Sequence, residues 1–312
     1  MRPYLIRRLG QALLVLLAAY SLSFVLLSAL PGDAISNRIA SPDSGLTAES
    51  GAVLLRYYGL DQPLWEQYLR GIARAVQGDL GLSLHTAQPV QDLLADTLPS
   101  TLELTGLALV VGVLLAAAIA LLINYGPSAR LRGLFSGVPS LFASVPTFVV
   151  GILALQYLSF KAGLIPSVDD GSLTALLAPA VTLGLVIAAP LAQVFAASIR
   201  TVRAQPFVHV LHAKGAGEGF IFRRDVFRNS SLPVLTLLGL AFGELIAGSV
   251  VTESVFARDG VGNLVVGAVN TQDLPVVQGV VLLSTATYVI VNLAVDVAYP
   301  FIDPRVLMGA TT

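Results

Sequence analysis

The chain has no cysteine, three histidines, two methionines and one tryptophan among its 312 residues. Without cysteine there is no disulfide framework and no thiolate metal site. His85, His209 and His212 all fall outside the long apolar runs, so a haem or di-metal centre buried among those runs lacks ligands. Charge is also scarce, at 12% Asp, Glu, Lys and Arg with a formal net charge of −1. That balance offers no electrostatic footprint for nucleic acid or for an acidic substrate. No phosphate-cradling glycine loop followed by lysine and a hydroxyl occurs, so the chain has no P-loop with which to bind ATP.

What the sequence does contain is hydrocarbon. A hydrophobic content of 55% and a mean hydropathy of +0.80 exceed what a soluble domain can hide. A bilayer core of about 30 Å needs roughly 20 apolar residues of helix. Runs of that kind are predicted near 9–30, 101–123, 134–158, 173–197, 232–254 and 276–300. The first follows Arg2, Arg7 and Arg8 as a signal peptide would, but its length exceeds the roughly 7–15 residues of a signal h-region, and it reads as a retained span. The expected fold is therefore an all-α membrane protein of six transmembrane helices. It divides into a first span (1–30), an extracytoplasmic segment (31–100) and a five-helix core (101–312) with a loop at 198–231.

Charge is sorted along the chain. Arg200, Arg203, Lys214, Arg223, Arg224 and Arg228 crowd one loop, opposed locally by Glu218 and Asp225 alone. With the amino terminus in the cytoplasm, these six join Arg2, Arg7, Arg8, Arg130, Arg132 and Arg305 inside, which places twelve of the 18 Lys and Arg there. The bias selects this orientation over its inverse. Pro139, Pro146, Pro179 and Pro190 remove backbone donors within spans three and four, which predicts kinked helices packed on protein or water, or simply the ordinary abundance of proline in such helices. Gly239, Gly243 and Gly248 allow close helix approach in span five.

Between spans one and two, Trp65, Leu69, Ile72 and Val76 recur at helical spacing, with Pro63 before them and Gly78 and Gly81 after. This amphipathic helix suits either the membrane surface and its own protein or a partner. A second outer excursion, 257–275, carries Gly260 and Gly262 as turn formers. Glu244 lies well inside a span, with Glu253 and Asp296 nearer the ends. An intramembrane carboxylate lines a pathway or meets a polar group at a helix contact. In the basic loop, Phe207, Val210 and Leu211 form an apolar edge, Gly215, Ala216 and Gly217 break the helix, and Phe222, Val226 and Phe227 restart one. Such an element suits a partner's groove or anionic lipid headgroups.

These residues resemble a known family, the permease subunits of ABC importers of the oligopeptide, dipeptide and nickel type, first permease of the pair. The likeness is carried by Tyr4-Leu5-Ile6-Arg7-Arg8, Leu30-Pro31-Gly32-Asp33, Gly59-Leu60-Asp61-Gln62-Pro63 and Gly78-Asp79-Leu80-Gly81-Leu82-Ser83. It continues through Ala213-Lys214-Gly215, Arg228-Asn229, Val251-Thr252-Glu253, Gly260-Val261-Gly262, Asp273-Leu274-Pro275 and Asp303-Pro304-Arg305. His212 stands where the family commonly has arginine, and the loop lacks a literal Glu-Ala-Ala. The resemblance implies the type I importer fold in the inner membrane and a non-catalytic subunit forming half of a translocation path. Its implied partners are a second homologous permease, two cytosolic ATPase subunits that carry ATP and magnesium, and an extracytoplasmic substrate-binding protein. Phe207, Val210, Leu211, His212, Ala213, Lys214, Gly215, Ala216 and Gly217 would couple to the ATPases. Asp79, Gly81 and Gly260 would lie near the binding protein, and Glu244 on the path. Peptides, metal chelates, haem and glutathione all remain open as solutes. The competing class is an ion- or proton-coupled carrier acting without an ATPase, which would require more intramembrane carboxylates than Glu244 provides.

Overall fold

The computed structural model describes residues 2–28, 55–56, 59 and 61–302. The motifs at Leu30–Asp33 and Asp303–Arg305, and the side chain of Asp296, lie outside the described residues. The described chain is helical, with a single isolated β-bridge between Leu82 and Pro89. In order the helices are α1 (Arg2–Ser28), α2 (Leu64–Val76), α3 (Val90–Tyr125), α4 (Ala129–Ser144), α5 (Thr147–Ala154), α6 (Leu173–Arg203), α7 (Pro206–Ala213), α8 (Glu218–Ile221), α9 (Phe227–Val255), α10 (Val261–Asn270) and α11 (Leu274–Ile302). Among the described residues, five helices are long and apolar enough to cross a membrane, six if the bent pair formed by α4 and α5 is counted as one span.

Three expectations change. The third span is not continuous: it breaks between Ser144 and Thr147 with a bend of 97°, at Val145-Pro146. Proline denies its own amide to the helix and forces the residue before it into extended backbone, here Val145 at φ −97°, ψ 122°. α5 then runs into a π-helical stretch, Leu155–Lys161. Second, the helix of span two begins at Val90, eleven residues before the predicted start at 101, so the last eleven residues of the extracytoplasmic segment are already its first turns. At 36 residues, or ~54 Å, α3 exceeds the roughly 30 Å of hydrocarbon and overhangs it. Third, the 257–275 excursion is not a plain turn but carries the helix α10.

The chain forms two compact units. One comprises the described residues of Met1–Ser100 and Asp259–Val289, the other those of Thr101–Arg258 and Ile290–Thr312. The core of the second unit is drawn from α3, α6 and α9 and is rich in small residues: Ala108 and Ala116, Ala180 and Ala192, and Ala241, around Leu104, Leu183, Ile187 and Leu245. Gly112 and Gly184 set the α3 to α6 spacing. A Cβ on Gly112 would stand 2.4 Å from Ile187, and one on Gly184 would stand 2.9 Å from the Ala108 carbonyl oxygen. α6 also packs on α4 and α5. Ser172 caps α6 by accepting the Ala175 amide at 3.1 Å, and hydrogen bonds from Ser172 hold the exposed Asp170 carboxyl below its ordinary range.

In the first unit, Val90 and Leu94 of α3 pack with Val261 and Ala268 of α10 and with Val276, Val277 and Val280 of α11. α2 lies on α1. The predicted amphipathic helix is therefore present, bounded by Pro63 and by glycines with positive φ at Gly78 and Gly81.

Candidate functional site

The basic loop forms an arm built on the end of α6. Pro206 opens α7 at a position where a missing amide costs nothing. The helix stops at Lys214, and Gly215 adopts φ +82°, the left-handed conformation that a helix terminus favours and that other residues resist. The Gly215 and Ala216 amides donate to the carbonyls of His212 and Leu211 at 2.9 and 3.1 Å. α8 then restarts the chain, and a π-helical turn, Phe222–Val226, leads into α9.

This arm has an inner and an outer side. Val208 is buried against Ala120, Phe195, Ala196, Ile199, Ile221 and Val226, and Leu211 and Ala216 pack onto the same cluster. Phe207, Val210 and Phe220 are exposed by 40%, 53% and 52%. His212, Ala213, Lys214, Gly215 and Gly217 are exposed beside them. The apolar edge read from sequence thus divides: Phe207 and Val210, three apart, face outward, while Val208 and Leu211, also three apart, face in. Phe220 takes the place assigned to Leu211.

Polar contacts hold the arm to α3 and α6. Arg203 donates to the Asn124 carbonyl at 3.1 Å and lies over the Tyr125 ring at 4.5 Å. Asn124 in turn donates to the carbonyls of Ala120 and Ala196, 2.9 and 3.2 Å away. Tyr125, Phe222, Phe227 and Phe195 follow in edge-to-face contacts of 5.3 to 6.2 Å. His212 spans the break in the arm, with Nδ1 2.9 Å from the Val208 carbonyl and Nε2 3.0 Å from Glu218, whose carboxylate also accepts from Arg203 at 3.4 Å. Both ring nitrogens face oxygen, so both contacts are hydrogen bonds at once only when the ring carries two protons.

The outer candidates fall into two cavities of the first unit. Asp79 and Gly81 border one of about 180 Å³, and Gly260 borders one of about 430 Å³ together with His85, Asp259, Asn263 and Thr271. Asp79 Oδ1 accepts the Gly81 amide at 2.8 Å and shapes that turn, and Gly260 is the buried residue preceding α10. Asp273 is the residue that sequence reasoning passed over. It is buried, and its two oxygens accept from the Ser83 hydroxyl and from the amides of Leu84 and His85. Ser83 and Asp273 both sit in family-like motifs, but 190 residues separate them and no local spacing links them.

In the second unit, Glu244 is exposed on α9, on a stripe with Thr236, Leu240, Ala247 and Val251, rather than at a contact with α6. The fully buried carboxylate is Glu253, which accepts the Thr101 hydroxyl at 2.7 Å. Arg258 pairs with Asp169 at 3.1 Å, both largely buried. Among the described residues no group of three or more His, Cys, Asp or Glu is placed to hold a metal.

The described chain thus presents apolar helices with a small-residue core, and a short exposed helix mounted at the end of two of them, the arrangement of a membrane-embedded subunit with a docking element. The chain belongs to the family described as binding-protein-dependent transport system inner membrane component, matched over residues 107–308, with its N-terminal membrane component matched over 1–105. It is 34% identical to the glutathione transport system permease protein GsiC of Escherichia coli strain K12, over 98% of this chain and 99% of that one. The GsiC of Shigella flexneri serotype 5b gives the same identity and coverage. Among solved structures, the fold matches an amino acid ABC transporter with histidines, with a TM-score of 0.52 at 20% identity over 69% of this chain and 94% of that one. It also matches the MetNI methionine ABC transporter in an inward-facing conformation, with a TM-score of 0.56 at 16% identity over 68% and 97%. The chain is a multi-pass inner-membrane permease of an ABC importer with the type I fold, and the ion-coupled carrier is set aside.

Proposed function

We propose that this permease is one of two in an importer for short peptides, glutathione among them, and that it works with two cytosolic ATPase chains and an extracytoplasmic binding protein. ATP and magnesium belong to the ATPase chains, and this subunit carries out no chemistry. The amino terminus is cytoplasmic, as the sorting of basic residues supports. The observation that carries the reading is the arm: Phe207, Val210 and Phe220 stand out from a mount built of α3, α6 and α9. An ATPase groove that receives α7 and the turn Lys214–Gly217 passes its displacement directly to those helices. ATP biases inward and outward states only through contacts that differ between them, so the arm must move with its helices rather than flex against them.

Glu244 and its exposed stripe on α9 line the path, because a carboxylate facing lipid is costly and one facing water or the second permease is not. The larger outer cavity, bordered by Gly260, is the concave ground for the binding protein, and Asp79 and Gly81 shape the neighbouring turn. Affinity purification from the native membrane in mild detergent tests the assembly. Recovery of a second permease, two ATPase chains and vanadate-sensitive hydrolysis supports it; a lone chain without ATP turnover overturns it. Uptake of labelled glutathione and dipeptides by the reconstituted complex then identifies the solute.

A further inference from the structure

The smaller cavity of the first unit shares the Asp79–Gly81 turn with that reading, but its arginines have no part in it. It measures about 180 Å³, below the roughly 300 Å³ at which pockets for drug-sized ligands begin, so it suits a headgroup rather than a whole solute. Arg56, Arg70 and Arg74 line it together with Tyr20, Phe24 and Leu282. The Arg74 guanidinium lies 4.0 Å from where a Gly81 Cβ would project, and that of Arg70 lies 3.9 Å from the corresponding point at Gly59, so both rest on backbone that borders the cavity. Asp79 also lines it, with its Oδ1 on the Gly81 amide, and Glu66 pairs with Arg70. Three guanidinium groups against two carboxylates leave the cavity and its rim cationic.

Its setting is amphipathic. No residue of α2 is buried, and Leu64, Trp65, Leu69 and Val76 are exposed by 56–82%. The adjoining side of α2 is docked on the apolar run of α1, where Tyr68 meets Tyr20 and Phe24 at 5.7 and 5.4 Å and shares a 2.7 Å hydrogen bond with Ser21. Leu22, Val25 and Leu26 of α1 are likewise exposed. A helix with one bare apolar side, fixed alongside a membrane-spanning helix near the end remote from Arg8, lies in the bilayer interface. A cavity beside it whose lining combines arginines with aromatic and aliphatic side chains fits a ligand with an anionic head and apolar chains. We propose that this cavity binds the phosphate-bearing headgroup of an anionic phospholipid. The arginines hold the phosphate, with which guanidinium pairs in bidentate fashion, and the acyl chains lie along the exposed sides of α1 and α2.

Trp65 is the only tryptophan in the chain and reports on this site. The full chain is reconstituted in phosphatidylcholine nanodiscs doped with acyl-brominated phosphatidylglycerol or acyl-brominated phosphatidylcholine, and quenching of Trp65 is followed. Half-maximal quenching is expected at an about fivefold lower mole fraction of the anionic lipid, the effect of one basic side chain engaging an anionic headgroup. Equal curves overturn the site. The combined change Arg56→Gln, Arg70→Gln and Arg74→Gln should merge the curves while the phosphatidylcholine curve stays in place, and a persisting gap overturns the assignment. The corresponding triple lysine variant should keep a gap, so its loss also overturns it. Arg130→Gln should leave the gap unchanged; a loss there would mark a general charge effect and remove the site. Millimolar inorganic phosphate should not close the gap, and closure would reassign the cavity to free phosphate.

Discussion

α1 and α6 are both long and apolar enough to cross a bilayer, yet 11% of the apolar stretch of α1 is buried against 56% for α6. The difference lies in side-chain size. α1 turns Leu9, Leu13, Leu14 and Leu17 outward, whereas α6 buries Ala178, Ala180, Gly184, Ala188, Ala189 and Ala192. Lipid is as apolar as leucine, so apolarity alone gives no reason for one helix to seek another. Small residues do, by letting backbones approach until dispersion contacts add up. Apolarity therefore says that a segment crosses, and side-chain size says whether it becomes the centre of the bundle or its lipid-facing edge.

The sharpest way to break this contrast is Gly184→Leu. Four added carbons against the Ala108 backbone should cost about 3 kcal/mol, seen as a lowered Tm or loss of a monodisperse peak in detergent, while Leu13→Ala on α1 stays within about 0.5 kcal/mol. Equal stability of the two variants would end the distinction between centre and edge. Gly215→Pro probes whether the arm moves with the central helices. Proline needs φ near −65° where the chain has +82°, so uptake by the assembled transporter should fall about tenfold, ~1.4 kcal/mol, with ATP hydrolysis retained. Gly215→Asn, which tolerates left-handed backbone, should keep most uptake. Normal uptake with proline would detach the arm from coupling.

A smaller effect is expected where α3 and α9 are tied. Thr101→Val removes the hydroxyl bound to Glu253 and should lower stability by about 0.6–1.7 kcal/mol in a thermal melt. The smallest change is Glu244→Gln. Because Glu244 is exposed, stability should hold within about 0.5 kcal/mol. The KM for uptake should rise about threefold, ~0.7 kcal/mol. An unaltered KM would place the α9 stripe off the path and make it resemble the exposed side of α1.

Hydropathy made all six crossings legible, because bilayer thickness imposes a length that few other structures require. It could not show how far the chain turns: the prolines predicted a kink in span three, but not the size of the 97° break at Val145-Pro146. The overhang of α3 was hidden by Asp92 and Asp96, which make an outer amphipathic turn look like loop, while Val90 and Leu94 supply the apolar side that packs on α10 and α11. At the arm, the break at Gly215 could be read locally because glycine at a helix end has a local cause. Which of Phe207, Val210 and Leu211 faces outward could not, since that depends on where α3 and α6 stand. The same holds for Ser83 with Asp273 and for Asp169 with Arg258, whose partners are brought together only by the folded chain.

Asp273 lies in the stretch matched by the main permease family, and the turn it holds, from Ser83 to His85, lies in the stretch matched by the N-terminal family. The boundary between the two falls near residue 106, but the stitch crosses it, and so does the packing of Val90 and Leu94 on Val276 and Val280. A chimera that grafts the first hundred residues of one relative onto the core of another therefore inherits half of a lock. Such exchanges should work only when the grafted segment brings a hydroxyl at 83 and the acceptor core a carboxylate at 273, which makes this pair the natural checkpoint for recombining importers of different solute range.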